Sequence, residues 1–448
     1  MFDLFTYLLG KKNGGGGSSV TVEELSVNEN GTYTAETGHA YSPVNVSVPT
    51  GGGAVEEKDV NFYDYDGTRL YSYTAAEFAE LTELPANPSH EGLTAQGWNI
   101  PSNWTLANAK AEVAATGAMD LGQMYVTDDG KTRVYIHLNE GRTSPMLGCC
   151  PDGTVDVDWG DGTAHDTLTG TSTSTVKWTP THNYAAPGDY VIKLTVTGEM
   201  ALYGTNTTNQ FCGLLRYSIT GDVRNRVYQS SIQRVEIGVG VTSIGAAAFR
   251  YCSSLSSITI PNSATNIGTY AFAYCYSLSN ITIPSGVTGI GDCAFQYCYS
   301  LSNVTIPSSV TSISAYAFAY CYSLSNITIP SGVTSIEEYA LQTCYCLLGI
   351  TIPSSVIGIN SNAFQYCVAL SNITIPSGVT SIGDNALSGL SGLGEIHFKP
   401  ETPPTISNSN AFASLPTDCK IYVPAGHLAD YTSAQNYPSS STYTYVEE

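Results

Sequence analysis

Six cysteines recur at one spacing in the second half of the chain, where their thiols could form disulfides, bind a metal or act as nucleophiles. They are Cys252, Cys275, Cys298, Cys321, Cys344 and Cys367, each 23 residues from the next. The remaining cysteines, at 149, 150, 212, 293, 346 and 419, follow no matching repeat that would pair with them. Zinc needs four converging ligands, and a nucleophile needs a nearby base, but residues 232–395 contain no histidine. The spacing therefore favours a small apolar side chain packed at a tight turn.

The whole region from residue 232 onward follows the same 23-residue period, which predicts a solenoid. A strand position recurs at Val235, Ile258, Ile281, Val304, Ile327, Ile350, Ile373 and Ile396, and prolines at 261, 284, 307, 330, 353 and 376 each lie three residues after one of the positions from Ile258 to Ile373. Two apolar ladders are Phe249, Phe272, Phe295, Phe318, Leu341, Phe364 and Leu255, Leu278, Leu301, Leu324, Leu347, Leu370. A strand's period of two puts Ile281 and Ile283 inside and Thr282 outside. Proline then ends each strand because it has no N–H to donate.

Most informative tyrosines occupy positions between these ladders. We name three columns by their members: the Tyr270 column (Tyr270, Tyr316, Tyr339), the Tyr251 column (Tyr251, Tyr274, Tyr297, Tyr320, Tyr366) and the Tyr276 column (Tyr276, Tyr299, Tyr322, Tyr345). Tyrosine offers wide, rigid contact area with a polar tip, so the columns could bind a partner, or they could shield neighbouring turns as a structural ladder. The near-constancy of the Tyr251 column indicates packing. The candidate binding residues are Tyr270, Tyr276, Gln296, Tyr299, Tyr316, Tyr322, Tyr339 and Tyr345.

The repeat pattern AFxxCxxLxxIxIPxxVxxI resembles the BspA-type leucine-rich repeat over residues 232–448. The stretch PPTISNSNAFASLPTDCKIYVPAGHLADYTSAQNY resembles that family's closing cap, with Ile421 and Val423 on the last strand. The resemblance implies a right-handed curved solenoid whose relatives serve as adhesins or interaction surfaces. At a ladder spacing of ~4.8 Å, nine rungs would make a strand sheet about 40 Å long, a large surface for a partner.

Residues 131–199 carry WGDGT and HxYxxxGxYxVxLTV, which resemble the signatures of a PKD domain, an immunoglobulin-like β-sandwich. Val155, Val157 and Trp159 alternate as in a half-buried strand. Four aspartates, Asp156, Asp158, Asp161 and Asp166, could bind calcium or cap turns. Their spacing lacks the ligand order of an EF-hand loop, which favours turn chemistry.

Residues 54–130 mix strand-like segments with helices at TAAEFAELTEL and TLANAKAEVAATG, which predicts a small α+β adaptor domain. Thr74 is the expected N-cap of the first helix, with Glu77 completing a capping box. Ahead of it, residues 1–53 form an attachment segment with glycine tracts at 14–17 and 51–53 and a small β element around 44–48. Here FDLFTYLLGKK and NENGTYTAETGHAYSPVNVSVP resemble N-terminal segments of tail and baseplate-associated proteins of bacteriophages that infect gut Gram-positive bacteria.

Composition and charge narrow the classes of function. The net charge is -21 and charged residues make up 12% of the chain, without a cluster of lysine and arginine. Nucleic acids and anionic membranes are bound through such clusters, so neither is an expected partner. No stretch approaches the ~20 apolar residues of a membrane span, and the N-terminus lacks the order of a secretory signal.

These observations predict a multidomain, mainly β protein without enzymatic activity or cofactor, because no nucleophile, base and orienting group come together. Its segments are 1–53, 54–130, 131–199, a connector and N-terminal cap at 200–231, repeats at 232–395 and a C-terminal cap at 396–448. The resemblances imply a phage virion protein that binds a host cell-surface protein or glycan through the solenoid and tail or baseplate proteins through the N-terminal region. A bacterial cell-surface adhesin is the alternative, and a homo-oligomer stays open.

Overall fold

The fold is mainly β, as the sequence predicts. The structure, a computed structural model, describes residues 59–65, 68–100, 105–202 and 229–448, and the short stretches 26–27, 32–35, 44–47, 206–207, 210–211 and 214–216. In these residues no helix is long and apolar enough to cross a membrane. Most of the attachment segment and of the 200–231 connector, including Cys212, lies outside the described residues.

Two small sheets precede the central part of the chain. Strands β1 (Ser26–Val27), β2 (Thr32–Ala35) and β3 (Val44–Ser47) form an antiparallel sheet, as the alternation around 44–48 predicts. The second sheet has the order β5-β4-β7-β6 and is made by β4 (Val60–Tyr63), β5 (Arg69–Tyr73), β6 (Leu93–Trp98) and β7 (Met119–Thr127).

Two helices complete this α+β domain: α1 (Ala75–Glu80) and α2 (Leu106–Thr116). The predicted capping box of α1 is confirmed, since Thr74 Oγ1 accepts the Glu77 N–H at 3.1 Å and Glu77 Oε2 accepts the Thr74 N–H at 2.8 Å. Phe78 from α1 is fully buried beside Phe62 and Trp98, which form the core of the domain.

A larger sheet joins the region after residue 130 to the solenoid. It contains β8 (Thr132–Leu138), β9 (Met146–Asp158), β10 (Asp166–Thr171), β11 (Lys177–Trp178) and β12 (Gly188–Leu202). Strands β13 (Asn206–Thr207) and β14 (Gln210–Phe211) form a separate pair, and β15 (Leu215–Arg216) pairs with β9. The long strand β9 lies between β10 and β12. The immunoglobulin-like sandwich stays a prediction, whereas the burial of Val155, Val157 and Trp159 matches their alternation.

The solenoid consists of coils that repeat every 23 residues, and each coil contributes one strand to a first ladder. Its strands are β16 (Ile232–Glu236), β18 (Ser257–Thr259), β19 (Asn280–Thr282), β21 (Asn303–Thr305), β23 (Asn326–Thr328), β25 (Gly349–Thr351), β27 (Asn372–Ile375), β29 (Glu395–Phe398), β31 (Lys420–Val423) and β32 (Thr444–Glu447). A second ladder holds β17 (Val241–Ile244), β20 (Gly289–Ile290), β22 (Ser312–Ile313), β24 (Ser335–Ile336), β26 (Gly358–Ile359), β28 (Ser381–Ile382) and β30 (Thr405–Ile406). Both ladders extend to the preceding sheet, because β8 pairs with β16 and β12 pairs with β17.

The apolar ladders of the sequence stack inside the solenoid. The rings of Phe249, Phe272, Phe295 and Phe318 lie parallel, with centroids 5.2–5.3 Å apart between neighbouring coils. Each coil is also joined to the next through its backbone at this ladder; for example, Phe272 N–H donates to Ala294 O at 2.8 Å. The predicted C-terminal solenoid of 23-residue coils is therefore confirmed.

The C-terminal cap differs from the prediction at its end. Ile421 and Val423 are buried on β31 as expected, but β31 is not the last strand, because β32 pairs with it in parallel. A 3₁₀ turn at Ser409–Phe412 precedes β31, and the helix α3 (Leu428–Ser433) between β31 and β32 buries Tyr431. The prediction stopped at β31 because it rested on the resemblance of residues 403–437 to a closing cap, and the strand Thr444–Glu447 follows that stretch.

The α+β domain rests on the first ladder of the solenoid. Asn99, which is fully buried, donates from Nδ2 to Ile283 O at 3.1 Å and accepts the Gly122 N–H at 2.8 Å. Asp120 Oδ2 accepts from Thr328 Oγ1 at 3.0 Å. The strand sheet of the first ladder was expected to be a surface for a partner. Over the central coils, the α+β domain of the same chain already covers it.

Two backbone amides of the solenoid are satisfied by this domain. Asn262 N–H donates to Gln96 Oε1 at 2.8 Å, and Ser331 N–H donates to Glu112 Oε1 at 2.9 Å. At the centre of the contact, Gly122 lies so close to the solenoid that a Cβ there would be 2.2 Å from Thr282 Oγ1.

We predict that Gly122→Val opens this contact. The added side chain would overlap Thr282, and overpacking of this kind costs roughly 1–3 kcal/mol. Hydrogen exchange followed by mass spectrometry should show faster exchange at the Asn262 and Ser331 amides, while the Val310 amide, which bonds within its own coil, stays slow. Unchanged exchange at Asn262 and Ser331 would contradict the docking.

Candidate functional site

The turns after the second ladder form the third side of each coil, and they hold the tyrosines in an unusual backbone conformation. Two residues per coil have φ between 55° and 66°, the left-handed region that disfavours most side chains. Eight tyrosines occupy such positions: Tyr251, Tyr270, Tyr274, Tyr297, Tyr316, Tyr320, Tyr339 and Tyr366. The equivalent positions of later coils hold Asn362, Asn385 and Gly389, the residue types that this backbone accepts most easily.

Rings of the same column stack on one another from coil to coil. In the Tyr251 column, neighbouring centroids from Tyr251 to Tyr320 lie 4.5–4.7 Å apart. In the Tyr276 column, they lie 4.6–5.0 Å apart from Tyr276 to Tyr345. Edge-to-face contacts between the two columns, such as Tyr297 with Tyr299 at 6.1 Å, join them into one aromatic layer.

The Tyr270 column is shorter and interrupted. Tyr316 and Tyr339 stack at 4.4 Å with their ring planes 7° apart. Between Tyr270 and Tyr316 the repeat places Cys293, whose φ of 56° matches those of the tyrosines. The Tyr251 column has a comparable break, where Thr343 stands between Tyr320 and Tyr366.

The structure brings the candidate binding residues to one side of the solenoid, which we call the tyrosine face, made of the three tyrosine columns and Gln296. Each of these side chains is half-buried, so the rings pack against one another and keep an exposed part. Whether they bind a partner stays a prediction. Gln296 lies beside the break at Cys293, and its backbone carbonyl accepts the Tyr274 N–H at 2.8 Å.

Arg250 closes one end of the tyrosine face. Its guanidinium carbon lies 4.4 Å from the ring centroid of Tyr270, 5.0 Å from that of Tyr251 and 5.7 Å from that of Tyr274. Cation–π contacts of this kind stabilise an aromatic ring that has no stacking partner on that side. This role of Arg250 was not predicted, because the repeat position it occupies changes residue type from coil to coil.

Burial within the columns shifts the acidity of the phenols. It is the largest cause that raises the pKa of Tyr297 and of Tyr345 to about 12, and neighbouring tyrosines add to it. The pKa values of Tyr299 and Tyr322 are also raised, with burial again the main cause. All these phenols are neutral hydrogen-bonding groups near neutral pH.

The repeated cysteines are fully buried and make a specific contact that the sequence did not reveal. Each thiol from Cys275 to Cys367 donates to the carbonyl of the apolar ladder residue one coil earlier, at 3.1–3.3 Å, as Cys321 Sγ does to Phe295 O. Burial raises the pKa of Cys298 and Cys321 well above the ordinary range, which keeps the thiols protonated. The prediction of a packed side chain needs this addition: the cysteine is also a hydrogen-bond donor.

The aspartates of the region before the solenoid cap turns. Asp158 Oδ1 accepts the Gly160 N–H at 2.9 Å, and Asp161 Oδ1 accepts the Thr163 N–H at 3.1 Å. Asp166 accepts from the Trp159 indole at 2.9 Å, and Asp156 contacts His165. In the described residues no group of three or more His, Cys, Asp or Glu side chains could hold a metal ion.

We predict that Cys321→Ala destabilises the protein more than Cys321→Ser. Alanine removes one of the two hydrogen bonds to the Phe295 carbonyl, which still accepts the Cys298 N–H at 3.1 Å, and a lost hydrogen bond of this kind costs roughly 0.5–1.5 kcal/mol, whereas serine keeps a donor. Chemical denaturation of both variants measures the difference. If Cys321 contributed only apolar packing, Cys321→Ser would be the less stable variant, because its buried hydroxyl would have no hydrogen-bond partner.

We also predict a late titration of the tyrosine face. The ordinary tyrosine pKa is 10.0, and Tyr297 and Tyr345 have raised values of about 12 in the folded state. Their contribution to stability is therefore complete below about pH 10 and is lost as the pH rises towards 12, because the unfolded chain ionises first. Absorbance at 295 nm and circular dichroism should show a group of tyrosines that ionises only as the fold is lost. Complete ionisation near pH 10 with the fold intact would contradict this.

The chain was compared with known protein sequences and with solved structures. No curated protein sequence matches the chain. Similar solved structures include a leucine rich cell surface protein from Faecalibacterium prausnitzii, with 28% identity over 49% of this chain and 73% of that chain and a TM-score of 0.31. A leucine-rich repeat protein from Bacteroides ovatus has 25% identity over 45% and 66% of the two chains and a TM-score of 0.32. The T. pallidum leucine rich repeat protein TpLRR has 27% identity over 41% and 84%, with a TM-score of 0.33.

The family model gives the clearer result. Residues 224–347 and 311–427 match the BspA type Leucine rich repeat region, in six copies. These residues contain the first ladder up to β31, the repeated cysteines and the tyrosine face. The part of the chain that forms the solenoid therefore matches the BspA-type leucine-rich repeat region.

Proposed function

We propose that this protein is a non-enzymatic binding protein whose tyrosine face contacts the surface of a host cell. The observation that carries the proposal is the presence of tyrosine at eight left-handed backbone positions, where other coils of the same chain have Asn362, Asn385 and Gly389 or the smaller Ala247, Cys293 and Thr343. The target is a cell-surface protein or glycan, since both are recognised by aromatic rings with polar edges.

The energies of the turns support a role beyond packing. A non-glycine residue in the left-handed region costs about 1–2 kcal/mol, and a stacked aromatic pair returns about 0.5–1.5 kcal/mol. These two energies nearly cancel. A solenoid with tyrosine at these positions is therefore hardly more stable than one with asparagine or glycine. Eight tyrosines at such positions therefore point to a property of the exposed edges.

The position of the α+β domain supports the same choice of surface. It contacts the first ladder from Asn262 to Ser331 and leaves the tyrosine face on another side of the coils. On the central coils, the tyrosine face is therefore more accessible to a partner than the strands of the first ladder. The charge of -21 keeps nucleic acids and anionic membranes among the disfavoured partners.

The biological setting we propose is a bacteriophage tail, where the N-terminal region attaches to tail or baseplate proteins and the solenoid reaches the host. The resemblance of residues 1–53 to phage tail and baseplate-associated proteins supports this setting. The alternative is a bacterial cell-surface adhesin, which the BspA-type repeat supports, because repeats of this family serve as adhesins. Both settings use the same tyrosine face.

Mass spectrometry separates the two settings. The phage setting predicts the protein in purified virions, with peptides from both the N-terminal region and the repeats. Recovery from a bacterial cell wall together with absence from virions would reject it in favour of the adhesin.

We predict that the triple variant Tyr270→Asn, Tyr316→Asn, Tyr339→Asn loses at least about tenfold in affinity for host cells without a loss of stability. Asparagine is the residue that this chain itself has at the equivalent positions Asn362 and Asn385, and it relieves backbone strain. Flow cytometry with the labelled full chain measures binding, and calorimetry measures the melting temperature.

The matched control replaces exposed threonines of the second side of the coils, in Thr288→Asn, Thr311→Asn, Thr334→Asn. This control should bind like the parent protein. Unchanged binding by the tyrosine variant, or equal loss in both variants, would reject the tyrosine face as the binding surface.

A further inference from the structure

The Tyr270 column contains one isolated pair of stacked phenol rings. Its only members on neighbouring coils are Tyr316 and Tyr339, whose ring centroids lie 4.4 Å apart with the ring planes 7° from parallel. This separation is shorter than the 4.5–5.0 Å between neighbouring rings of the other two columns. The repeat places Cys293 before the pair and Asn362 after it, so the column has no third ring next to these two.

The two rings are stacked in register. The backbone φ is 58° at Tyr316 and 59° at Tyr339, so both side chains leave their coils from the same backbone conformation. The Tyr316 hydroxyl donates a hydrogen bond to the Tyr339 oxygen, which holds the two hydroxyl groups together. In nearly parallel rings with adjacent hydroxyls, each carbon ortho to a hydroxyl lies about as far from its counterpart as the centroids do.

This arrangement favours one covalent reaction of phenols. A tyrosine that loses one electron and its hydroxyl proton becomes a phenoxyl radical, whose unpaired electron is shared by the oxygen and the ortho carbons. Two such radicals couple through their ortho carbons to give dityrosine. Tyr316 and Tyr339 are both half-buried, so an oxidant in solution reaches their exposed parts and the protons pass to water.

The pair differs from the longer stacks because its radicals have no other ring of the column to move to. Tyr299 and Tyr322 are also nearly parallel, at 4.6 Å and 2°, and their hydroxyls are hydrogen-bonded. They lie in the middle of a column of stacked rings from Tyr276 to Tyr345, where an electron vacancy can be passed on in either direction. In the isolated pair, the vacancy stays on the two rings that are in position to couple.

We propose that Tyr316 and Tyr339 are the site of a dityrosine cross-link between neighbouring coils, formed when a haem peroxidase and hydrogen peroxide act on the tyrosine face. Each phenol gives up one electron and one proton, and a carbon–carbon bond forms between the two ortho carbons. The hydrogen on each of these carbons then moves to the phenoxyl oxygen, which restores both hydroxyls. One hydrogen peroxide accepts the two electrons and two protons and is reduced to two waters.

The cross-link would stabilise the solenoid. It closes a loop of one 23-residue repeat, which lowers the conformational entropy of the unfolded chain, as a disulfide does. We expect the melting temperature of the cross-linked monomer to exceed that of the parent protein by at least about 3 °C. This inference concerns the covalent chemistry of the tyrosine face and does not depend on what the face binds.

The sequence allows the cross-link to be located by proteolysis. Between residues 236 and 395 the chain has glutamates only at 337 and 338, which lie between the two tyrosines. The dilute full chain is treated with a haem peroxidase and hydrogen peroxide, and the monomer is isolated, denatured and cut with a glutamate-specific protease. Mass spectrometry should then find the fragments 237–338 and 339–395 joined, with the loss of two hydrogen atoms, and the product should have dityrosine fluorescence.

Phenylalanine variants identify the residues that react, because they keep the ring and remove the hydroxyl. We expect at least about a tenfold loss of the joined fragments in Tyr316→Phe and in Tyr339→Phe. The matched control is Tyr345→Phe, because the stack of Tyr322 and Tyr345, at 5.0 Å and 15°, spans the same cleavage position. This control should change the yield less than about twofold.

Three results would overturn the proposal. The first is an equal yield of joined fragments in Tyr316→Phe and the parent protein, and the second is a loss confined to Tyr345→Phe. The third is a treated parent protein in which joined fragments are absent or occur only in covalent dimers. Cross-linking that disappears when the chain is unfolded in urea before oxidation would support the proposal, since the register of the two rings exists only in the fold.

Discussion

The structure depends on the hydrogen bonds that join each coil to the next at a fixed interval of 23 residues. Because the backbone pairs coil to coil at Phe272 and Ala294 as well as at the strands, any residue type repeated at that interval lies directly above its counterpart. The repeated phenylalanines therefore stack in the core, the repeated thiols form a series of hydrogen-bond donors, and the repeated tyrosines form one face of the solenoid. Because of the same constraint, a residue that departs from the repeated type can be assigned to one coil of the solenoid.

That constraint explains which features the sequence predicted. The inward positions of Ile281 and Ile283, the phenylalanine and leucine ladders and the packed cysteines follow from the period and from strand alternation, and the structure confirms them. The columns of tyrosines follow from the period as well. Their left-handed backbone was not predicted, although Asn362, Asn385 and Gly389 at equivalent positions carried the signal. Comparison of repeats within one chain would have revealed it.

Other features have no periodic signal and therefore escaped prediction. The α+β domain covers Thr282, Thr305 and Thr328, which are the same residue type as Thr351 and Thr374 on coils further along the solenoid. The information for docking lies in Gly122 and Asn99, whose roles depend on a surface far away in the sequence. The thiol donors escaped for a different reason: a buried cysteine reads as apolar in sequence, and only the position of the Phe295 carbonyl gives it a partner.

Interruptions in a periodic protein carry more information than its repeats. A repeated residue is explained by the coil, since the same contacts recur at every level. A single replacement such as Cys293 keeps the left-handed backbone of its column, with a φ of 56° beside 58° at Tyr270 and Tyr316, so the geometry of the coil does not account for the change of residue. The solenoid thus supplies an invariant frame in which one member of a column can change without a change in the fold.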